Sequence, residues 1–124
     1  PNSATTKLSF TPILAPMPRG ILATVTAKLV KPLGIDEVRS MYQSYYAKSE
    51  FVKLLPSGKM PQTSATIGSN FAMMQIAIDE HTERMVISIA IDNLGKGAAG
   101  QAIQNANLMC GFPEDRGLPS SGVR

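Results

Sequence analysis

The chain has 124 residues, of which 44% are apolar and 17% charged, and its net charge is +3. That composition excludes the collagen-like and disordered classes, and Pro, Lys and Gly break every apolar run well short of a membrane span. A single cysteine, Cys110, excludes an internal disulfide and fits a reducing, cytoplasmic compartment. The length suits one domain with a core built from Ile, Leu, Val, Ala and Met. Charge is uneven: residues 1–60 hold 8 of the 12 basic and 3 of the 9 acidic residues, so the halves carry +5 and −2. No basic run interleaved with aromatics accompanies this, which disfavours nucleic acid as a partner. The N-terminus lacks a signal-peptide pattern and begins without Met, which suggests a piece of something longer.

Lys7 to Ile13 alternates loosely and reads as a strand. Pro12, Pro16 and Pro18 then make a stiff connection or sheet edge up to Arg19. Gly20 to Leu29 is a long strand, with Ile21, Ala23, Val25, Ala27 and Leu29 on one face at period two. Asp36 stands as an N-cap for an amphipathic helix to Lys48, its apolar face formed by Ile35, Val38, Met41, Tyr42, Tyr45 and Tyr46. Phe51 to Leu55 and Thr63 to Ile67 read as short strands. Phe71–Ile78 and Met85–Ile91 form a hairpin whose tip is the charged stretch Asp79–Arg84. Leu94–Gly100 leads into a helix to about Cys110, with Ala99, Ala102, Ile103, Ala106 and Met109 as its apolar stripe. Gly111 and Pro113 end it, and the polar tail is expected to fray over 115–124. The order β-β-α-β-β-β-β-α predicts an α+β domain, a largely antiparallel mixed sheet with helices on one face.

Chemistry-bearing residues are few. Cys110 falls at a helix C-terminus, where the dipole disfavours a thiolate, and reads as a packed core residue. His81, the single histidine, sits among charges at the hairpin tip and reads as surface. Neither a catalytic residue nor a metal ligand set is assigned. The strongest candidate is Asp92-Asn93-Leu94-Gly95-Lys96-Gly97-Ala98-Ala99-Gly100, a strand passing through a glycine-rich turn into a helix N-terminus. Its N–H groups suit an anion or carboxamide, although on residue type alone a tight turn whose glycines allow close helix–sheet packing is the commoner reading. Arg19, after a rigid loop, suits a bidentate clamp on carboxylate or phosphate, or a solvated surface position. Gly68-Ser69-Asn70 is either a polar turn or part of a site wall.

The blocks Phe10–Thr24, Tyr42…Tyr46…Glu50-Phe51-Val52, Leu55-Pro56, Gly68-Ser69-Asn70, Ala90–Asn105, Asn107-Leu108 and Gly111–Glu114 together resemble the N-acetyl-γ-glutamyl-phosphate reductase family. They occur in the family's order over residues 8–118. The resemblance implies a C-terminal catalytic and dimerisation domain like that of glyceraldehyde-3-phosphate dehydrogenase, spanning 1–124 and incomplete at its N-terminal end. It implies NADPH-dependent reduction of N-acetyl-γ-glutamyl phosphate to the semialdehyde in arginine biosynthesis, with NADPH held mainly by a Rossmann domain absent from this chain. It further implies an acyl-phosphate substrate, a homo-oligomer, and neither nucleic acid nor membrane as partner. By the same resemblance Asn93, Leu94, Lys96 and Gly97 face the cofactor, and Arg19, Gly20, Ser69 and Asn70 line the substrate side. The family's nucleophilic cysteine and its histidine belong before Lys7, so this chain alone is expected to be inactive. Ile13 stands where many members have histidine, and Gly95 replaces a usual Val or Thr, which is expected to loosen the turn. Two alternatives stand beside this reading: a non-catalytic association module derived from that domain, and a relative of aspartate-semialdehyde dehydrogenase.

Overall fold

A computed structural model describes residues 7–122. Its elements are β1 (Ile21–Lys28), α1 (Ile35–Tyr45), β2 (Val52–Leu54), β3 (Ala72–Asp79), β4 (Arg84–Ile91) and α2 (Gly100–Met109). A 3-10 turn lies at Thr63–Ala65, and a π-helical turn at Gly95–Ala99 runs directly into α2. The sheet order is β1-β4-β3-β2, with β4 antiparallel to both its neighbours and β2 parallel to β3. The expected α+β class and mixed, largely antiparallel sheet are therefore present.

Alternation along the strands decides the core. Met74, Ile76 and Ile78 of β3 and Met85, Ile87 and Ile89 of β4 pack with Val52, Leu54 and Val38 of α1. Val38, Met74, Ile76 and Ile87 are its buried centre, closed by Leu33, Tyr42 and Tyr46. Only part of the expected helix face is used, for Met41 and Tyr45 remain 57% and 82% exposed. Val38→Ala removes two buried methyl-sized groups, partly offset by alanine's better helix propensity. It is expected to cost about 1–2 kcal/mol, measured as a lowered urea midpoint at constant slope.

β1 pairs with β4 along its whole length, yet every residue of it except Ala23 is exposed. Its register places Ile21, Ala23, Val25 and Ala27 on the α1 side as expected, but α1 packs on β3 and leaves β1 bare on both faces. The hairpin of β3 and β4 has the charged tip read from the sequence. There Asp79 accepts the N–H of His81 and of Thr82 and the hydroxyl of Thr82, and His81 is exposed. No helix of the described residues is long and apolar enough to cross a membrane.

Several expectations are corrected. Lys7–Ile13 forms no strand: no neighbour among the described residues offers it a ladder, and Leu8, Phe10 and Ile13 are more than 80% exposed. Thr63–Ile67 is not a strand either but a 3-10 turn. Its hydroxyls compete for the backbone, with Thr66 Oγ1 donating to Thr63 O (2.8 Å) and Ser69 Oγ to Thr66 O (2.8 Å). Gly34, not Asp36, is the N-cap of α1. Asp36 and Glu37 lie in the first turn, where their charge suits the helix dipole, and the helix ends at Tyr45. Cys110 is exposed at the C-cap of α2 rather than packed in a core. The α2 stripe is on the outside, because the helix turns its polar side inward. The tail is tied back as far as Pro119: Asn107 Nδ2 donates to the carbonyls of Glu114 and Arg116, and Asn70 N donates to Pro119 O.

Candidate functional site

The strand β4 ends at Ile91, and the next side chain, Asp92, is fully buried. Its carboxylate gathers three segments. Arg19 meets it with two parallel bonds, Nε to Oδ1 at 2.9 Å and an Nη to Oδ2 at 2.8 Å. Gly68 N donates to Oδ2 at 2.7 Å, and Leu94 N to Oδ1 at 3.1 Å. One residue on, Asn93 Oδ1 accepts Gly20 N at 2.7 Å. The proline loop is thereby fixed to the turn through both Arg19 and Gly20.

The turn itself is a π-helical winding. Gly97 N donates to Asp92 O (2.8 Å) and Ala99 N to Leu94 O (3.2 Å), each across five residues. The free helix N-terminus expected at Gly100 is therefore displaced, and the anion that sits at the start of the winding is the chain's own Asp92 carboxylate. Gly95 does not loosen the turn. A Cβ there would lie 2.7 Å from Ser69 O, so the glycine lets the winding seat directly on that carbonyl.

Beneath the winding runs a second network. Gln104 Oε1 accepts Lys96 Nζ at 2.6 Å and Asn70 Nδ2 at 3.1 Å. Gln104 Nε2 donates to Glu114 Oε2 at 2.8 Å, and Glu50 N donates to Glu114 Oε1 at 3.2 Å. Lys96 Nζ also stands 5.9 Å from the centre of the buried Phe51 ring.

The sequence-predicted residues thus converge on one region but divide by role. Leu94 and Gly97 are exposed on the crown of the turn. Asn93 holds the proline loop, and Lys96 points inward to Gln104 rather than outward. Ser69 and Asn70 are buried beneath the winding, and Arg19 is engaged by Asp92. Asp92 heads the stretch singled out in the sequence but was given no role there, and Gln104 and Glu114 were missed as site residues. For Asp92 a signal existed: an aspartate two residues before a turn N–H is the pattern of an Asx-turn. Gln104 and Glu114 carried none, since nothing in their spacing says that the polar side of α2 faces inward. Among the described residues, no three His, Cys, Asp or Glu side chains gather as a metal site.

The Arg19 hydrogen bonds hold the Asp92 carboxyl well below the usual carboxylate range. Burial opposes this, and the N–H groups of Leu94 and Gly68 and the charge of Arg19 reinforce it. The same pairing raises Arg19. Burial pulls Lys96 below its ordinary value, with Glu114 acting in the opposite sense. For a depressed carboxyl the stabilisation is complete above the unfolded value of about 4 and is lost as pH falls towards the lower folded value. Urea midpoints taken from pH 7 to pH 3 are accordingly expected to fall more steeply for the wild type than for Asp92→Asn. Parallel profiles would show that Asp92 is not the group responsible.

The chain is similar to known proteins over most of its length. The family model described as semialdehyde dehydrogenase, dimerisation domain, matches residues 2–93. N-acetyl-gamma-glutamyl-phosphate reductase of Thermobifida fusca is 55% identical over 117 residues, covering 94% of this chain and 34% of that protein. The reductase of the same name from Acidothermus cellulolyticus is 55% identical over 116 residues, with coverages of 94% and 34%. That of Salinispora arenicola is 52% identical over 118 residues, with coverages of 95% and 34%. The chain spans about a third of the length of the curated relatives it matches.

Proposed function

From the premise that the chain belongs to the semialdehyde dehydrogenase dimerisation-domain family, we propose that it is the C-terminal third of an N-acetyl-γ-glutamyl-phosphate reductase. In this reading the whole enzyme reduces the acyl phosphate to the semialdehyde with NADPH, in arginine biosynthesis. An aspartate-semialdehyde dehydrogenase is disfavoured, because the close relatives carry the acylglutamyl-phosphate name.

The observation that carries the reading is the crown of the turn. Leu94 and Gly97 lie open on a winding anchored from below by Asp92, Arg19 and Gln104. An apolar side chain beside exposed small residues suits the flat, uncharged nicotinamide end of a dinucleotide, where backbone must come close to a ring. The cofactor supplies the hydride when bound. The chain's own residues do the positioning. Arg19 and Asp92 fix the loop beside the substrate, Asn93 holds Gly20, Lys96 braces the winding, and Ser69 and Asn70 form its floor. The nucleophilic cysteine and the histidine would come from outside this chain, which alone should turn over no substrate.

Joining this chain to the unmatched two-thirds of the Thermobifida fusca reductase tests the proposal. The joined protein is expected to oxidise NADPH in the presence of the acyl phosphate. Leu94→Asp is expected to raise its KM for NADPH by about tenfold, roughly 1.4 kcal/mol, with unchanged melting. Turnover by the 124-residue chain alone, or an unaltered KM, would count against the assignment.

A second reading has its own observation. β1 is bare on both faces, as an association strand would be. In this reading β1 meets a second copy, and Leu22→Glu converts a dimer to a monomer by light scattering. A dimer undisturbed by that change would place the contact elsewhere.

A further inference from the structure

Lys96 and Glu114 bracket an uncharged stretch, Gly97–Pro113, and they meet through one side chain within it. Gln104 Oε1 has two acceptor positions, and both are filled: Lys96 Nζ donates at 2.6 Å and Asn70 Nδ2 at 3.1 Å. The Gln104 amide nitrogen donates to Glu114 Oε2 at 2.8 Å. That bond decides the direction of the amide. Turned over, its NH2 group would face two donors and its oxygen would face a carboxylate. The other Glu114 oxygen accepts Glu50 N at 3.2 Å, so the carboxylate is itself set by the connection between α1 and β2. Burial pulls Lys96 below its ordinary value and the charge of Glu114 raises it, so the two charges are coupled across the amide.

The segment that carries Glu114 is fastened by other bonds. Phe112 N donates to Asn107 O at 2.8 Å, and Asn107 Nδ2 donates to the carbonyls of Glu114 and Arg116. Those acceptors are main-chain groups, so they do not depend on the side chain at position 114. The Glu114 carboxylate leads instead to Glu50 N and, through Gln104, to Lys96 in the winding. We propose that Glu114 is a positioning residue: it orients Gln104 so that Lys96 is drawn beneath the winding, which keeps an ammonium off the crown formed by Leu94 and Gly97. Lys96 stands between those two residues in the chain, and both are exposed, so a Lys96 side chain released from Gln104 carries its charge out beside them. A nicotinamide ring gains positive charge as hydride leaves it, and a nearby ammonium opposes that change. What the crown meets rests on the reductase reading, whereas the hold on Lys96 does not.

Proton–nitrogen spectra of the 124-residue chain read the hold on Lys96 without any need for activity. An ammonium bonded to Gln104 exchanges slowly enough to show its own Nζ–H signal. Glu114→Ala is expected to abolish that signal and to shift the Leu94 and Gly97 amides, with the Phe112 amide unchanged. Glu114→Gln combined with Gln104→Glu exchanges the carboxylate and the amide while leaving every donor an acceptor, and it is expected to restore the Lys96 signal. In the chain joined to the unmatched part of the Thermobifida fusca reductase, kcat/KM for NADPH is expected to fall about fivefold in Glu114→Ala and to recover in the double variant. The loss should shrink at high salt, as a charge effect does and a packing defect does not. A Lys96 signal absent from the wild type, or surviving Glu114→Ala, would overturn the inference. So would a double variant without restoration, or an unaltered kcat/KM in a joined protein that turns over. A joined wild type without turnover would remove the reductase reading alone, with the spectra still deciding the hold on Lys96.

Discussion

Replacing Asp92 with alanine is expected to cost about 1–3 kcal/mol, the range for leaving buried donors without their acceptor, since Arg19 is partly exposed and can turn to water. The carboxylate is fully buried and is the shared acceptor of Arg19, Gly68 N and Leu94 N. Its loss leaves two backbone N–H groups and a guanidinium without the acceptor that joined them. A domain of this size has a total stability of about 5–15 kcal/mol, so the change would remove a measurable part of it. Urea unfolding at pH 7 checks this through the midpoint, and a loss below about 1 kcal/mol would show that water replaces the carboxylate. Arg19→Lys should recover only part of the pairing, because one ammonium cannot deliver two parallel bonds to both oxygens. In the joined enzyme the same changes are expected to act on the turn, which loses its tie to the proline loop.

Gly100→Ala is the second change, and its sign runs against helix propensity. Alanine in place of glycine within a helix normally gains about 1 kcal/mol. Here a Cβ would collide with Asn70 Oδ1 and stand 2.9 Å from both the carbonyl carbon and the oxygen of Gly95. The Gly95 backbone is itself seated on Ser69 O, and Asn70 is buried with its amide on Gln104. Neither neighbour can retreat without giving up a contact of its own. A loss of about 2–3 kcal/mol is expected, as for overpacking of a well-filled core. Combining it with Asn70→Ala should give less than the sum of the two single losses, since the shared clash disappears. A stabilised Gly100→Ala chain would show that the π-helical winding relaxes to an ordinary helix at no cost.

Asn70 Oδ1 is the one buried side-chain polar atom among the described residues without a hydrogen-bond partner. It faces the Gly100 Cα, which explains why the position accepts no larger residue. The winding is thus held by close backbone approach on one side and by the Arg19–Asp92 pair on the other.

Local pattern was enough for much of this molecule. Alternation over Gly20–Leu29 and the apolar runs Phe71–Ile78 and Met85–Ile91 on either side of a charged tip identified three strands to within a residue or two, because both signals are local. Asp79–Arg84 announced its hairpin, and the Asn93–Gly100 turn, Arg19 and Gly68–Asn70 were singled out from residue type. What residue type does not contain is the partner each group meets. Lys7–Ile13 has the composition of a strand but no neighbour among the described residues to pair with, and Thr63–Ile67 closes on its own hydroxyls. Arg19 is equally suited to a ligand carboxylate or to Asp92, and a separation of 73 residues hides the choice. The direction in which α2 faces is the clearest case. Its stripe was legible, but the side that turns inward was decided by Asn70, Lys96 and Glu114 converging on Gln104, since buried amides must find hydrogen-bond partners whereas an apolar stripe can be covered from outside.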